Sequence, residues 1–389
     1  MKTVRLGIIG LGSMGAAHAR WILEGKVPRL ELVAAADTDP AAFGPFPEIR
    51  KFESARDLIA SGAVDAILIA TPHWDHVRIG VEVLKAGLHL LVEKPIGVHK
   101  ADCERLIAAS RTAGRKPVFA AMFNQRTDPH YTKLRDLVQS GELGAIQRVQ
   151  WTITNWFRSQ TYYSSGGWRA TWKGEGGGVL LNQCPHNLDL LQWIFGMPET
   201  VTAFCRLGHY HDIEVEDDVT AYLSYKNGST ATFIASTGEA PGTNRMEIAC
   251  DRGRVVLERG AIHFVRTVVP VSEFCRTTPG KWAGPETWNI EIPVEESGEQ
   301  HVGILKNFVA AILDRAPLIA PAAEGIHSVE LANAMLLSSF KKTTVTLPMS
   351  GKAYEAALKA RISSSRFHKK TVVRRGPSAR DMANSFGKL

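Results

Sequence analysis

The sequence predicts a mainly parallel α/β domain followed by an α+β domain with a large, open, mainly antiparallel sheet. Three observations carry that prediction. Over the first 125 residues, short apolar runs alternate with helix-like segments. After about residue 126 the alternation gives way to consecutive strand-like segments. A glycine-rich turn, Gly10-Leu11-Gly12-Ser13-Met14-Gly15, joins the first apolar run to the first helical segment. Strands regularly spaced by helices imply βαβ units and a parallel sheet, whereas successive strands joined by turns imply an antiparallel one. The expected divisions are 1–125, 126–360 and a basic extension at 361–389.

In order, residues 4–10 read as a strand and 13–24 as a helix. Residues 30–37, rich in Val and Ala, form a second strand. A helix over 55–61 precedes a third strand at 66–71. The helix at 75–86 ends at Gly87, a residue suited to a left-handed cap. Strand 89–93, helix 100–113 (ended by Gly114) and strand 118–122 complete the first domain. In the second domain the helical segment 131–140 leads into strand 146–154, and an aromatic, glycine-rich loop follows. Residues 179–195 read as one buried helix, although Pro185 within it lacks an N–H and argues for a later start or a kink. Four strands are expected at 201–206, 218–225, 229–237 and 245–249. Asn227-Gly228 marks a hairpin between two of them. Residues 301–316 and 322–343 read as helices.

The chain has 389 residues, 44% of them hydrophobic, and a net charge of +7. Residues 361–389 hold eight Lys or Arg against one Asp, which accounts for all of that charge. A basic extension is not a nucleic-acid groove, so no nucleic-acid partner is expected. Five cysteines, at 103, 184, 205, 250 and 275, form no CxxC pair and no even framework, which fits a reducing compartment. No apolar run reaches spanning length and no leader pattern opens the chain. The expectation is a soluble cytoplasmic protein with no membrane partner.

Gly10, Gly12 and Gly15 have the spacing that holds a dinucleotide in a Rossmann-type unit. The first glycine permits the tight turn, the second admits the pyrophosphate, and the third lets helix and strand pack closely. The N–H groups of Ser13 and Met14 open the helix that attracts the anion. Asp37 ends the next strand, placed to accept hydrogen bonds from the adenosine ribose. With Asp39 it presents two carboxylates and no arginine to a 2′-phosphate, so NAD is favoured over NADP. Thr71, Pro72, His73 and His76 follow the third strand and suit the ribose or nicotinamide half of the cofactor. Asn124, just past the fifth strand, suits the domain junction near the nicotinamide. Glu93-Lys94-Pro95 ends the fourth strand, which puts a lysine where open α/β sheets bind ligands.

These features resemble the glucose–fructose oxidoreductase and inositol dehydrogenase superfamily (Gfo/Idh/MocA). The likeness rests on Gly10-x-Gly12-x-x-Gly15-x-x-His18, on Glu93-Lys94-Pro95, and on Gly176-Gly177-Gly178 followed by His186 and Asp189. It covers roughly residues 1–350. The resemblance implies that Lys94 lies near the nicotinamide and the reacting hydroxyl, that Glu93 belongs to the cofactor site, that Lys94–Pro95 is a candidate cis bond, and that Trp168-Arg169 approaches the cofactor or the rim of the site. It further implies an aspartate at position 182, where this chain has Asn182. An amide takes no proton at neutral pH, so Asn182 is expected to orient substrate or imidazole. His186, four residues on, would share its face if the stretch is helical. An imidazole titrates near working pH, which makes His186 the candidate base. Asp189 is expected to secure the helix. Cys184 with His186, and His209 with His211, lack strong zinc spacing, and no metal is expected.

Four of the nine tryptophans fall in residues 151–172, interleaved with Tyr162, Tyr163, Arg158 and Arg169. Aromatic faces stack on pyranose C–H faces, and Arg, Asn and His bond hydroxyls. Arg158, Tyr163 and Trp168, together with Lys94, Asn182 and His186, are therefore the candidate substrate contacts; a core or interface stripe is the competing reading of the aromatics. The expected protein is an NAD-dependent oxidoreductase acting on a secondary hydroxyl of a sugar, glycoside or cyclitol. Two rivals are a glycosidase working by transient ring oxidation and elimination, and a redox sensor that binds NAD without turnover. Open sheets in this family pair commonly, so a homodimer or homotetramer is expected.

Overall fold

A computed structural model describes residues 2–114, 116–294 and 298–369. The first sheet has strands β1 (Val4–Ile9), β2 (Leu30–Ala36), β3 (Arg50–Phe52), β4 (Ala66–Ile69), β5 (His89–Val92) and β6 (Phe119–Ala121). They lie in the order β3-β2-β1-β4-β5-β6, every pair parallel. β4 and β5 read as unbroken apolar runs because helices cover both faces of the sheet. β3 was not expected: Arg-Lys-Phe at an exposed sheet edge carries no apolar pattern. The chain runs to opposite sides of the sheet from β1 and β4, so the crevice outside their carboxyl ends is the ligand position of such sheets.

The second sheet has β7 (Ile146–Ile153), β8 (Thr200–Leu207), β9 (Glu216–Ser224), β10 (Thr230–Ser236), β11 (Asn244–Cys250), β12 (Gly253–Glu258), β13 (Ala261–Thr267), β14 (Thr287–Ile292) and β15 (Val345–Thr346). Their order is β14-β13-β12-β11-β7-β10-β9-β8-β15. Only β7 with β10 is parallel among the described pairs. β12 to β15 were not expected. The β12–β13 hairpin turns through Arg259 (φ 52°) and Gly260 (φ 70°), a two-residue turn with an arginine where Asn or Asp would have announced it.

The helix expected over 179–195 starts instead at Pro185 and ends at Phe195. Residues 178–184 form turns, with Asn182 N–H bonded to Gly178 O and Cys184 N–H to Val179 O. Pro185 cannot donate and so takes a first-turn position. Asn182 and His186 therefore do not share a helical face. The predicted division at 360 also shifts. Helix Gly351–Ser364 crosses it, and residues 365–369 fold back on the body. The remainder of the predicted basic extension, 370–389, lies outside the described residues. Helix Gln300–Asp314 packs into the core of the first sheet, so the first domain borrows a later segment. Among the described residues no helix is long and apolar enough to cross a membrane.

Each sheet has its own hydrophobic core. Between them Arg126 donates two 2.7 Å bonds to Asp189, both side chains 1% exposed. Breaking one side of such a pair strands the other charge. Arg126→Met is expected to cost about 3–5 kcal/mol, read as a lower denaturation midpoint in urea. Adding Asp189→Leu should recover much of the loss; full stability in the single variant would contradict this account.

Candidate active site

The glycine turn leaves β1 and enters helix Ser13–Leu23. Gly10 has φ +91°, and a Cβ there would fall 2.8 Å from Ala70 O. A Cβ at Gly15 would fall 1.8 Å from Gly10 O. At Gly12 it would meet nothing within 4 Å, so this is the open side of the cradle. A pyrophosphate fits there, against the helix N-terminus begun by Ser13 and Met14. Asp37 anchors the turn by accepting from Leu11 N–H (2.6 Å) and Asp39 N–H (2.9 Å). Each carboxylate oxygen keeps a further lone pair for a hydroxyl donor.

Glu93, Lys94 and Pro95 follow β5, with a cis Lys94–Pro95 bond. His18 Nε2 bonds Glu93 Oε1 at 2.8 Å in a fully enclosed pair. Burial alone would raise the Glu93 pKa, but His18, joined by His301 and Lys94, outweighs it and holds the carboxylate at about 2. His76 lies between two backbone carbonyls, with Nδ1 2.7 Å from Pro95 O and Nε2 2.8 Å from Thr71 O. Its ring braces the two strand ends rather than turning a nitrogen toward a cofactor, a correction to its expected contact role. His73 Nδ1 lies 3.3 Å from Glu175 O, while Thr71 Oγ1 is buried without a protein partner and Pro72 is exposed.

Lys94 Nζ donates to Asn182 O at 2.8 Å. The ammonium is thus tied to the turn that precedes helix Pro185–Phe195. Burial lowers the Lys94 pKa; Glu93 opposes that shift and Arg169 reinforces it. His186 occupies the first turn of the helix, its ring edge-on to Phe123 at 6.2 Å. Burial first, and then the Lys94 charge, push the imidazole well below its usual 6.5 and keep it neutral. Its Nδ1 is sealed in without a partner. Asn124 donates to Gln300 Oε1 at 2.8 Å and leaves its own Oδ1 buried and unpartnered.

The aromatic loop divides between core and site. Trp151, Trp156 and Trp172 are buried in the core of the second domain. Tyr163, an expected substrate contact, is buried too; its hydroxyl bonds Thr237 Oγ1 at 2.8 Å and its ring packs on His211. Its neighbour Tyr162 instead turns toward Asn182 and Arg169. Tyr162 Oη lies 3.4 Å from Asn182 Oδ1 and accepts from Arg169 Nη1 at 3.0 Å and Gln183 Nε2 at 3.1 Å. The Arg158 guanidinium lies 5.2 Å from the Tyr162 ring, and that of Arg169 lies 4.8 Å from Tyr162 and 4.4 Å from Trp168. Trp168 is edge-on to His73 at 5.1 Å, which brings this loop onto the first turn of helix His73–Lys85.

Glu175 escaped the sequence reading. It is 1% exposed, donates its backbone N–H to Thr171 O, and bonds Asn182 Nδ2 through Oε1. Its only sequence signal is a carboxylate next to three glycines. Among the described residues no group of three or more His, Cys, Asp or Glu could hold a metal ion.

Residues 4–121 match the oxidoreductase family with an NAD-binding Rossmann fold, and residues 131–256 match the GFO/IDH/MocA C-terminal domain. Inositol 2-dehydrogenase of Rhizobium meliloti (strain 1021) is 25% identical over 356 residues, covering 89% of this chain and 99% of that one. Inositol 2-dehydrogenase of Corynebacterium glutamicum is 27% identical over 271 residues, 63% of this chain and 76% of its own. The WlbA dehydrogenase of Bordetella pertussis, solved with NADH and UDP-GlcNAcA, superposes with a TM-score of 0.73 at 25% identity, covering 90% of this chain and 100% of that one. With both domains matched, the chain belongs to the Gfo/Idh/MocA family of NAD-binding oxidoreductases.

Proposed function

We propose that the protein is an NAD-dependent dehydrogenase that oxidises a secondary hydroxyl of a sugar, glycoside or cyclitol. The observation that carries this reading is the Lys94 ammonium, held at the carboxyl end of β5 by Asn182 O and coupled electrostatically to a neutral His186. A nicotinamide dinucleotide bound in the glycine cradle supplies the two-electron hydride acceptor. Lys94 hydrogen-bonds the substrate oxygen and stabilises the negative charge that develops on it. His186 takes the hydroxyl proton on Nε2, since Nδ1 is sealed beneath the surface. Arg158, Tyr162, Trp168 and Asn182 surround the ring, and the names of the inositol and sugar-nucleotide relatives support that substrate class. Exposed Phe204 and Tyr222 on neighbouring strands β8 and β9 support a homodimer or homotetramer.

A panel of pyranoses, pyranosides and cyclitols with NAD and with NADP tests the reading through reduced-cofactor absorbance and product mass. Cofactor binding with no oxidation of any member would sink it. NAD is the expected cofactor because Asp37 and Asp39 would repel a 2′-phosphate. Asp37→Ala should weaken NAD on the order of ten- to a hundredfold and narrow the preference over NADP, as measured by fluorescence titration. An unchanged affinity ratio would show that the ribose lies elsewhere.

A further inference from the structure

We propose that Glu175 is a second counter-charge of Lys94 beside Glu93, a positioning carboxylate delivered by the loop ahead of the three glycines and linked to it through Asn182. The starting point is a charge imbalance. Lys94 is buried under the influence of two guanidinium groups, Arg169 and Arg158, and its adjacent carboxylate, Glu93, which opposes them most strongly, is shared with His18. Position 182 holds an amide where the family resemblance implies an acid. The structure brings an acid to the same place from seven residues upstream. Glu175 Oε1 accepts from Asn182 Nδ2, and Oε2 accepts from Ala170 N–H at 2.7 Å, with Arg169 Nη1 3.9 Å away. Burial raises the Glu175 pKa above the usual carboxylate value, while Arg169, the donors Asn182 Nδ2 and Ala170 N–H, and Lys369 act against that rise and favour the ionised form. Asn182 then bridges the two charges, side chain to Glu175 and carbonyl to Lys94 Nζ at 2.8 Å.

This arrangement gives a physical reason for the amide. An aspartate at 182 would bring a second carboxylate against Glu175, and two like charges in contact cannot both ionise freely. Asn182 accepts the role of donor to Glu175, so the pair Glu175 and Asn182 substitutes for a single acid at 182. The charged and titratable groups around Lys94 act in known directions. Burial lowers its pKa, Glu93 and Glu175 raise it, and Arg169 and Arg158 lower it. His73, Cys184 and His186 in turn feel the Lys94 charge. Removing the Glu175 charge leaves the lowering influences less opposed, so Lys94 loses its proton at lower pH.

The test follows Lys94 directly, without turnover. In the full chain labelled with 13C at lysine Cε, the Lys94 resonance is assigned by its absence in Lys94→Met and titrated by NMR. Glu175→Gln should move its midpoint down by about one pH unit. Adding Asn182→Asp, which returns a carboxylate to position 182, should move it back to near the wild-type value. The double variant is prepared alongside, so the comparison survives loss of fold in the single one. A midpoint unmoved or raised in Glu175→Gln, or still low in the folded double variant, overturns the proposal. Where substrate is oxidised, the basic limb of the kcat profile should shift with the NMR midpoint; the kinetic arm alone rests on the dehydrogenase reading, so failure of that reading leaves the titration decisive.

Discussion

Lys94→Ala is expected to lower kcat/KM on the order of 10²–10³-fold and to leave NAD affinity near wild type. In the proposed mechanism the ammonium is the donor to the reacting oxygen, and its bond to Asn182 O holds it in place. A donor fixed in a water-poor site stabilises developing charge without reorganising, which is why its loss falls on the chemical step. On the same reading the dinucleotide is held elsewhere, by the Gly10–Gly15 turn and Asp37, so binding and chemistry should separate in this variant. Steady-state rates with the best substrate, set beside a fluorescence titration of NADH, measure the two. Lys94→Arg is not expected to rescue, because a planar guanidinium does not replace a compact ammonium beneath a carbonyl. Wild-type turnover in Lys94→Ala would remove Lys94 from the mechanism.

The parts of this site that were legible in the sequence sit at the ends of doubly buried strands. Gly10–Gly15, Asp37, Thr71 and Lys94 each follow an apolar run whose length fixes where the strand stops, and the parallel order then brings those ends together. What the sequence hid depends on which way a side chain turns. Tyr162 and Tyr163 are chemically alike and adjacent, yet the short helix Gln160–Ser164 aims one at Asn182 and the other into the core. Pro185 was visible as an obstacle, but only the backbone bonds of residues 178–184 show that it starts the helix and takes Asn182 off it. Glu175 is the strongest case. Its contact with Asn182 spans seven residues of turn and follows no helical or strand period, so no pattern announces it. The unexpected hairpin of β12 and β13 was missed for a similar reason, since Arg259 occupies a φ > 0 position that sequence rules reserve for Gly, Asn or Asp.

His186→Asn is expected to reduce kcat on the order of 10²–10⁴-fold and to erase the acid limb of the pH profile. In the wild-type protein burial and Lys94 hold the imidazole pKa well below 6.5. A base with so low a pKa is already unprotonated at neutral pH, so kcat/KM should stay flat through pH 6.5 and fall only further down. The same burial has a stability consequence that must be separated from it. His73, His186 and His301 are all depressed, His301 to about 3. The unfolded chain therefore binds more protons than the folded one below about pH 6.5, and stability declines as pH falls toward the folded values. Tryptophan fluorescence recorded at each pH distinguishes lost structure from a protonated base. If the variant keeps both its turnover and its acid limb while the fold stays intact, another group removes the proton. Asn124, whose Oδ1 is buried and unpartnered near Phe123, cannot be that group, because an amide does not titrate. The search would then move to Lys94 itself, which burial has brought below its usual 10.5 and so toward the range where a neutral amine can accept a proton.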